Sequence, residues 1–304
     1  MDKHVAVKDI INFLGSEIIS IDGNPENIYV TNLKPPELVD KDTLDWIGKQ
    51  KQNKQQIAEE TAAQIIICDS TVIFTEKIAT QNKVLIHVNN PRLVIALVAD
   101  KYFLKKPEPG IHSTAYLHPE AVVDSTVYIG ANCSIGKCTI LEGTSIYPNV
   151  TIYDGVSIGK NVLIQAGAVI GTDGLGCERR DDGTLIKFSH LGGVEICDDV
   201  EIGANCQIAR GALSNTIIGR GCKINGLCFI AHNCVLDDNV WITGNTMLAG
   251  SVKVGKNATI FSSVIVREQR RIGQRATIGM GSVVTKDVPA GETWLGSPAK
   301  KVEK

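Results

Sequence analysis

A period of six residues runs through most of the chain and constrains its fold more than any other feature. Between residues 218 and 284 a branched aliphatic side chain recurs at every sixth position. An α-helix repeats its apolar face every 3.6 residues or so and a strand about every 2, so neither explains this spacing. With Gly, Asn and Asp in between, the period predicts short strands joined by tight corners, which is a β-solenoid. The aliphatic positions are Ile218, Ile224, Ile230, Leu236, Ile242, Leu248, Val254, Ile260, Val266, Ile272, Ile278 and Val284.

The same register begins at Ile111, loses one residue before Ile140 and is broken at two further places before residue 218. Residues 171–193 break it with glycine and charged residues, and residues 213–217 shift its phase by two. Solenoids place insertions on the outside as loops, and loops of this length are often functional. We therefore expect 171–193 to be an external loop, with either a functional role or the role of a solvated excursion.

The first hundred residues lack the period and predict a small α/β domain. VKDIINFLG and QQIAEETAA have the pattern of helices, and NNPRLVIALVADKYF that of a helix opened by proline. The apolar runs QIIICD and VLIHV are typical of buried strands. KKPEPG, at 105–110, has the composition of a linker. We therefore predict two domains, 1–106 and 107–304, the second being the solenoid.

Composition and charge exclude several classes of function. The net charge is only -2, so electrostatics give no reason to expect nucleic acid or a membrane surface as the main partner. The amino terminus offers no uninterrupted apolar core of a signal peptide, and no apolar run approaches the roughly 20 residues of a membrane-spanning helix. Nine cysteines without a disulfide-scaffold pattern favour reduced thiols, so we expect a cytoplasmic protein without membrane insertion.

Cys222, Cys228 and Cys234 surround His232 and raise the question of a metal site. Each cysteine stands four residues after a periodic aliphatic residue, a slot that small side chains occupy along the solenoid. Cysteines on successive faces of one coil do not converge on one ion, and the short spacing of common zinc sites is absent. We interpret these thiols as small buried fillers and predict no metal site.

His232 and Gly250 are the candidate catalytic residues. His232 follows Ile230 by two, so its side chain points away from the coil interior. Three hexads make one coil of a triangular solenoid, which places Gly250 on the next coil. A histidine base beside a backbone N–H that a ligand can approach closely suits acyl transfer from a thioester to an amine. The alternative is that His232 is an ordinary surface residue.

Hexads such as IGANCS, IGKNVL and IGANCQ resemble the left-handed β-helix of hexapeptide-repeat acyltransferases. More narrowly, YPNVTIYDGVSIG, GAVIGTDGLG, KFSHLG, CFIAHN and MLAGS are similar to the UDP-3-O-acylglucosamine N-acyltransferases of lipid A synthesis. This resemblance implies left-handed winding, a homotrimer with active sites between subunits, and a first domain that binds the nucleotide. It also implies that His232 is the general base and that Gly250 supplies the oxyanion donor.

The chain departs from that family at three places. The position of a second active-site histidine aligns with Gln269. The aromatic platform for uracil keeps Trp46, but has Lys49 and Gln52 at its other two positions. The carboxyl-terminal helical extension is replaced by LGSPAKKV, which is similar to the end of hexapeptide enzymes that use coenzyme A. In that comparison Lys300 and Lys301 would face the coenzyme A phosphates, or they are simply solvated.

Three functions follow as expectations. We prefer N-acyl transfer from acyl-coenzyme A to a dTDP- or UDP-linked amino sugar of a surface glycan, with no permanently bound cofactor. In that reading Trp46 stacks on the nucleotide base, and Gln269 contacts the substrate. The first alternative is the lipid A enzyme with a hydroxyacyl group on an acyl carrier protein. The second is a solenoid scaffold without catalysis.

Overall fold

The computed structural model describes residues 4–302, and the chain divides into two compact units, 1–106 and 107–304. The first unit is a small α/β fold, and the second is a parallel β-solenoid. The predicted fold class, an α/β domain followed by a hexapeptide-repeat β-helix, is confirmed.

A four-stranded sheet forms the centre of the first unit. Its strands lie in the order Ile18–Asp22, Val84–Val88, Ile65–Cys68 and Leu44–Trp46, and only the first pair is antiparallel. The two central strands are buried along their whole length, as the apolar runs predict for strands covered on both faces. A short antiparallel pair, Val5–Ala6 with Tyr29–Val30, lies outside this sheet.

Helices cover the sheet of the first unit. Asn90 accepts a hydrogen bond from the Leu93 N–H at the start of the proline-opened helix, which caps it. None of the helices within residues 4–302 has the length and apolar character needed to cross a membrane. The α-helices are Val7–Leu14, Lys54–Glu60, Glu76–Thr80 and Pro91–Val98, with 3-10 turns at Gly15–Glu17 and Pro36–Leu38 and a π-helical turn at Ala99–Phe103.

The second unit winds through three sheets of 11, 9 and 8 strands. Sheet 1 contains Gly110–Ile111, Tyr128–Ile129, Ser145–Ile146, Leu163–Ile164, Glu201–Ile202, Lys223–Ile224, Trp241–Ile242, Thr259–Ile260, Thr277–Ile278, Thr293–Leu295 and Lys300–Lys301. Sheet 2 contains Tyr116–Leu117, Ser134–Ile135, Thr151–Ile152, Val169–Thr172, Gln207–Ala209, Phe229–Ile230, Met247–Leu248, Ile265–Val266 and Val283–Val284. Sheet 3 contains Val122–Val123, Thr139–Ile140, Val156–Ile158, Val194–Ile196, Thr216–Ile218, Val235–Leu236, Lys253–Val254 and Arg271–Ile272.

The periodic aliphatic residues stack in the solenoid core. Ile230 pairs with Leu248 and Leu248 with Val266, so one coil takes 18 residues in this region. All three side chains are fully buried. Corners between strands require a left-handed backbone, which asparagine tolerates better than most residues, and Asn233 occupies one with φ 60°.

The cysteines of the small-residue slot lie inside the solenoid wall. The thiol of Cys222 donates to the carbonyl of Asp237 at 3.1 Å, and that of Cys234 to the carbonyl of Ala249 at 3.2 Å. Burial raises the pKa of both thiols to about 12, so they stay protonated at neutral pH. These positions agree with the interpretation of the cysteines as fillers. Cys133, Cys206 and Cys228 are buried in the same way.

The insertion leaves the coil after the sheet 2 strand Val169–Thr172, two residues later than the predicted loop of 171–193, and forms a hairpin. Gly176–Arg179 pairs antiparallel with Leu185–Phe188, and the chain rejoins sheet 3 at Val194–Ile196. The hairpin is exposed to solvent along most of its length. An insertion of this kind leaves the stacking of the coils on either side intact, because Val194–Ile196 still pairs with Val156–Ile158.

Candidate active site

One corner of the solenoid carries a column of residues, each two positions after a buried aliphatic residue of sheet 2. Ile208 pairs with Ile230, which in turn pairs with Leu248, so the corresponding corner residues lie on successive coils. The structure thus brings His232 and Gly250 together, as the count of 18 residues per coil predicts. The column contains Arg210, His232, Gly250 and Glu268.

Gly250 lies directly against the imidazole of His232. A β-carbon at position 250 would stand 2.7 Å from both Cε1 and Nε2 of His232, closer than carbon atoms tolerate. Only glycine therefore fits beside the ring in this position. The Gly250 carbonyl accepts the N–H of Gln269 at 2.9 Å, whereas no residue within 4–302 accepts a hydrogen bond from the Gly250 N–H.

Asn233 determines which nitrogen of His232 carries the proton. The Asn233 Oδ1 accepts the Ala212 N–H at 3.0 Å, and its Nδ2 donates to the Ser214 Oγ at 3.0 Å, which fixes the orientation of the amide. His232 Nδ1 lies 3.0 Å from the same Oδ1. Because a carbonyl oxygen only accepts, Nδ1 carries the hydrogen and Nε2 keeps a lone pair in the neutral ring. His232 is therefore oriented as a base at Nε2.

His190, from the 171–193 insertion, packs against His232. The two ring centroids are 5.1 Å apart, with planes inclined by 72°. His190 is 5% exposed, and its Nδ1 lies 3.0 Å from the Phe188 carbonyl. A β-carbon on Gly174 would stand 2.5 Å from His190 Nε2 and 2.9 Å from His232 Cδ2, so this glycine lies against both rings and a side chain there would displace them. The insertion therefore contributes directly to the site.

Backbone hydrogen bonds hold the end of the insertion against this corner. Leu191 donates its N–H to the Ala212 carbonyl at 2.7 Å, and Gly192 donates to the Gly211 carbonyl at 3.1 Å. Ala212 in turn donates to Asn233, the residue that orients His232. The same short segment thus positions both histidines.

Gln269 lies beside the column and not in it. Its backbone occupies the left-handed corner, with φ 61°, where Asn233 and Ser251 stand on the preceding coils. The Gln269 side chain is exposed, and the backbone N–H of this residue donates to the Gly250 carbonyl. The residue one coil beyond Gly250 in the column is Glu268. A contact of Gln269 with substrate stays a prediction.

The other candidate residues lie elsewhere in the chain. Lys300 and Lys301 form an exposed strand antiparallel to Thr293–Leu295. The Lys301 Nζ lies 2.8 Å from a carboxylate oxygen of Glu292, and this hydrogen bond lowers the pKa of Glu292. A phosphate would therefore compete with Glu292 for Lys301, and the predicted contact with coenzyme A stays untested.

Trp46 borders a cavity of about 330 Å³ in the first unit. Asp45, Lys51 and Glu60 also line this cavity, so the indole lies beside groups able to hydrogen-bond a ligand. Asp45 accepts the Trp46 N–H at 2.8 Å and the Thr61 hydroxyl at 2.6 Å, which fixes the end of the strand. The indole itself is 37% exposed, and nucleotide stacking on it stays a prediction.

Two residues of the candidate site were not assigned from the sequence. Asn233 directly follows the histidine in IAHN, and His190 stands within KFSHLG. An available signal for both was their position inside stretches that resemble the acyltransferase family. In the part of the chain that the structure covers, no group of three or more His, Cys, Asp or Glu residues is placed to hold a metal ion.

Comparison with known proteins agrees with this architecture. Residues 137–172 match the family model of the bacterial transferase hexapeptide, six repeats. The UDP-3-O-acylglucosamine N-acyltransferase of Methylobacterium nodulans is 43% identical over 120 residues, which are 40% of this chain and 34% of that protein. The enzyme of the same name from Wolinella succinogenes is 38% identical over 127 residues, covering 42% of this chain and 40% of that protein. The chain thus spans well under half the length of the curated relatives it matches.

Two solved structures are similar to a larger part of this chain than the curated relatives are. LpxA of Acinetobacter baumannii superposes with a TM-score of 0.58 and 30% identity, over 63% of this chain and 73% of that one. The UDP-N-acetylglucosamine acyltransferase of Francisella novicida has the same TM-score and 27% identity, over 64% and 70% of the two chains. The chain belongs to the family of bacterial hexapeptide-repeat transferases.

Proposed function

We propose that the protein is an N-acyltransferase that moves an acyl group from a thioester to the amine of a UDP-linked glucosamine in lipid A synthesis. The observation that carries this proposal is the contact between His232, oriented with Nε2 as its basic nitrogen, and Gly250 on the next coil. The names of the curated relatives and of the solved structures support the same class of reaction.

The site residues suit both the attack of the amine on the thioester and the stabilisation of the oxyanion that forms. As the substrate amine attacks the thioester carbonyl, Nε2 of His232 takes the proton that the nitrogen loses, while Asn233 retains the hydrogen on Nδ1. The carbonyl electrons move to oxygen, where the Gly250 N–H stabilises the negative charge. Collapse of the tetrahedral intermediate expels the thiolate, which takes up the proton held on His232 Nε2, and leaves an amide on the sugar and a neutral imidazole.

The comparisons favour the lipid A reaction over our preferred reading of transfer from acyl-coenzyme A to another amino sugar. The curated relatives carry the name UDP-3-O-acylglucosamine N-acyltransferase, which specifies the acceptor. We therefore propose this acceptor, with an acyl carrier protein presenting the acyl group. The pairing of Lys301 with Glu292 supports this choice, because it occupies a lysine that coenzyme A phosphates would need.

The remaining assignments belong to the same proposal. Stacking of uracil on Trp46 would contribute about 1 to 3 kcal/mol, the range for one base on an aromatic side chain. The partial exposure of Trp46 and the cavity beside it support this role. Gln269 would contact the acceptor from the coil above Gly250. The homotrimer and the cytoplasmic location are proposed from the family resemblance.

A panel of donors and acceptors tests the proposal. Purified protein is offered hydroxyacyl-acyl carrier protein or acyl-coenzyme A, with UDP-3-O-acylglucosamine, UDP-linked amino sugars or dTDP-linked amino sugars, and products are identified by mass spectrometry. We expect an amide product from the carrier-protein donor and UDP-3-O-acylglucosamine. A product only from acyl-coenzyme A would restore the other acyltransferase reading. No product from any pair would favour the scaffold.

A further inference from the structure

The second histidine of the corner has an unusual environment. His190 Nε2 is buried and has no hydrogen-bond partner among residues 4–302. Its Nδ1 faces the Phe188 carbonyl at 3.0 Å, and because this oxygen only accepts, Nδ1 carries the hydrogen. In the neutral ring Nε2 is then a lone-pair acceptor without a donor. Buried polar atoms without partners are rare and costly in proteins, so this nitrogen calls for a physical explanation.

The unpartnered nitrogen faces the same glycine as the edge of His232. The β-carbon position of Gly174 lies 2.5 Å from His190 Nε2 and 2.9 Å from His232 Cδ2. The rings meet nearly edge to face, at 72°. An electron-rich nitrogen beside the carbon-bound hydrogens of an imidazole interacts weakly while that ring is neutral. The interaction strengthens once the ring becomes a cation, because the hydrogens then carry more positive charge.

We infer that His190 is a positioning residue that stabilises the protonated form of His232 during acyl transfer. This inference rests on the proposed function, in which His232 takes the amine proton. His190 is not a second base, because its Nε2 is buried beneath Gly174. It acts through His232, both by packing against the ring and by placing a lone pair near the charge that forms there.

Charged groups around the pair come from several elements. Arg210 stands one coil below His232, and Glu268 stands one coil beyond Gly250. Asp173, in the insertion, lies near His190, and its carboxylate pairs with the Lys187 Nζ at 2.6 Å. Variants at position 190 leave all four unchanged, so a difference between such variants reports on the imidazole of His190.

Three substitutions of His190 distinguish the effect of the Nε2 lone pair from the effect of the ring's shape. His190→Phe keeps a ring of similar volume but has no nitrogen. His190→Asn keeps a donor near the Nδ1 position for the Phe188 carbonyl and loses the atom at Nε2. His190→Gln can place an amide oxygen near the Nε2 position. Thermal unfolding of each variant identifies any that does not fold, and the comparison then uses the others.

With the lipid A acceptor and a carrier-protein donor, we expect H190F and H190N to lower kcat about tenfold with little change in KM. H190Q should recover most of that loss. If H190F turns over as fast as the wild type, the ring acts only by its shape, and the inference is wrong. If H190Q is as slow as H190N, an acceptor at Nε2 has no role, and the inference is also wrong.

A measurement without turnover separates this inference from the proposed function. Nitrogen-15 NMR of labelled histidines follows the titration of His232, assigned with His232→Gln, in the protein without substrate. We expect the midpoint for His232 to lie at lower pH in H190F and H190N than in the wild type, because the cation loses its neighbouring lone pair. An unchanged midpoint would overturn the inference even for an active enzyme. A lowered midpoint in an inactive protein would show that His190 stabilises protonated His232 and would refute the proposed reaction.

Discussion

The regular coils from 218 to 288 and the interrupted segment from 171 to 217 contribute different halves of the candidate site. In the regular coils each strand pairs with the strand 18 residues later, which places Gly250 over His232 by repetition alone. In the interrupted segment Ile170 pairs with Ile208 across the hairpin, and Arg210 enters the column after that longer connection. Repetition thus places the proposed base beside the proposed oxyanion donor.

The interrupted segment supplies the groups that orient His232. His190 and Gly174 lie in the insertion, and Ala212 and Ser214 hold the amide of Asn233. None of these positions follows from a period. The contrast teaches that a repeat can fix the backbone of a site, while the choice of tautomer and the packing of the base depend on irregular chain.

The largest expected difference between the two regions is the reactivity of their cysteines. Cys177 is exposed in the hairpin, whereas Cys222 and Cys234 are buried in the regular coils. With a pKa of about 12, each buried thiol is about one part in 10⁴ thiolate at pH 8, and thiolate is the reactive form. Iodoacetamide at pH 8 should therefore modify Cys177 and leave Cys222 and Cys234 unmodified, as measured by peptide mass spectrometry.

Denatured protein serves as the control for that experiment, since all three cysteines should then react. Equal labelling of Cys177 and Cys234 in the folded protein would show that the regular coils open readily. It would contradict the view of those thiols as part of a closed wall.

The same contrast explains how much the sequence could predict. The strands Phe229–Ile230 and Met247–Leu248, and the contact of His232 with Gly250, follow from the aliphatic period. His190 could not be placed, because its position depends on how a hairpin without a register folds back. Asn233 shares its left-handed corner with many other asparagines, so its side-chain role has no separate pattern.

Gln269 shows a limit of assigning site residues by matching sequence motifs. Matching motifs placed it at a family histidine, whereas the column defined by coil stacking reaches Glu268 on that coil. An alignment records similarity in sequence, but the side chains of two neighbouring corner residues point in different directions, so an error of one position selects the wrong side chain. Counting coils from Gly250 would have identified Glu268 as the residue in the column.

Removal of the base is the next largest expected effect. His232→Ala should lower kcat at least about 10²-fold, because general-base catalysis usually contributes that much. Unfolding by denaturant should change little, since the side chain is outside the core. His112→Ala, at an exposed histidine outside the column, is the matched control and should retain most of the activity. Full turnover by the His232 variant would show that the regular coils do not supply the base.

Gly250→Ala tests whether the two regular coils must approach so closely. The new β-carbon would meet Cε1 and Nε2 of His232 at 2.7 Å, so the imidazole has to move. Misplacement of a catalytic group by about 1 Å can cost up to about 10²-fold, and we expect a loss of 10- to 100-fold in kcat. In the His232→Ala background the same change should have little further effect, because the ring it displaces is gone. Equal losses in both backgrounds would assign the effect to the backbone instead.

The smallest expected effect concerns the link between the two regions. Asn233→Gly keeps the left-handed corner but removes the oxygen that accepts from His232 Nδ1 and from the Ala212 N–H. One net hydrogen bond is worth about 0.5 to 1.5 kcal/mol, so kcat should fall by roughly two- to tenfold. Asn257→Gly, at a corner with the same φ in the regular coils, is the matched control and should leave kcat unchanged. An equal decrease in both variants would mean that corner geometry alone matters, and that the irregular segment does not orient the base through Asn233.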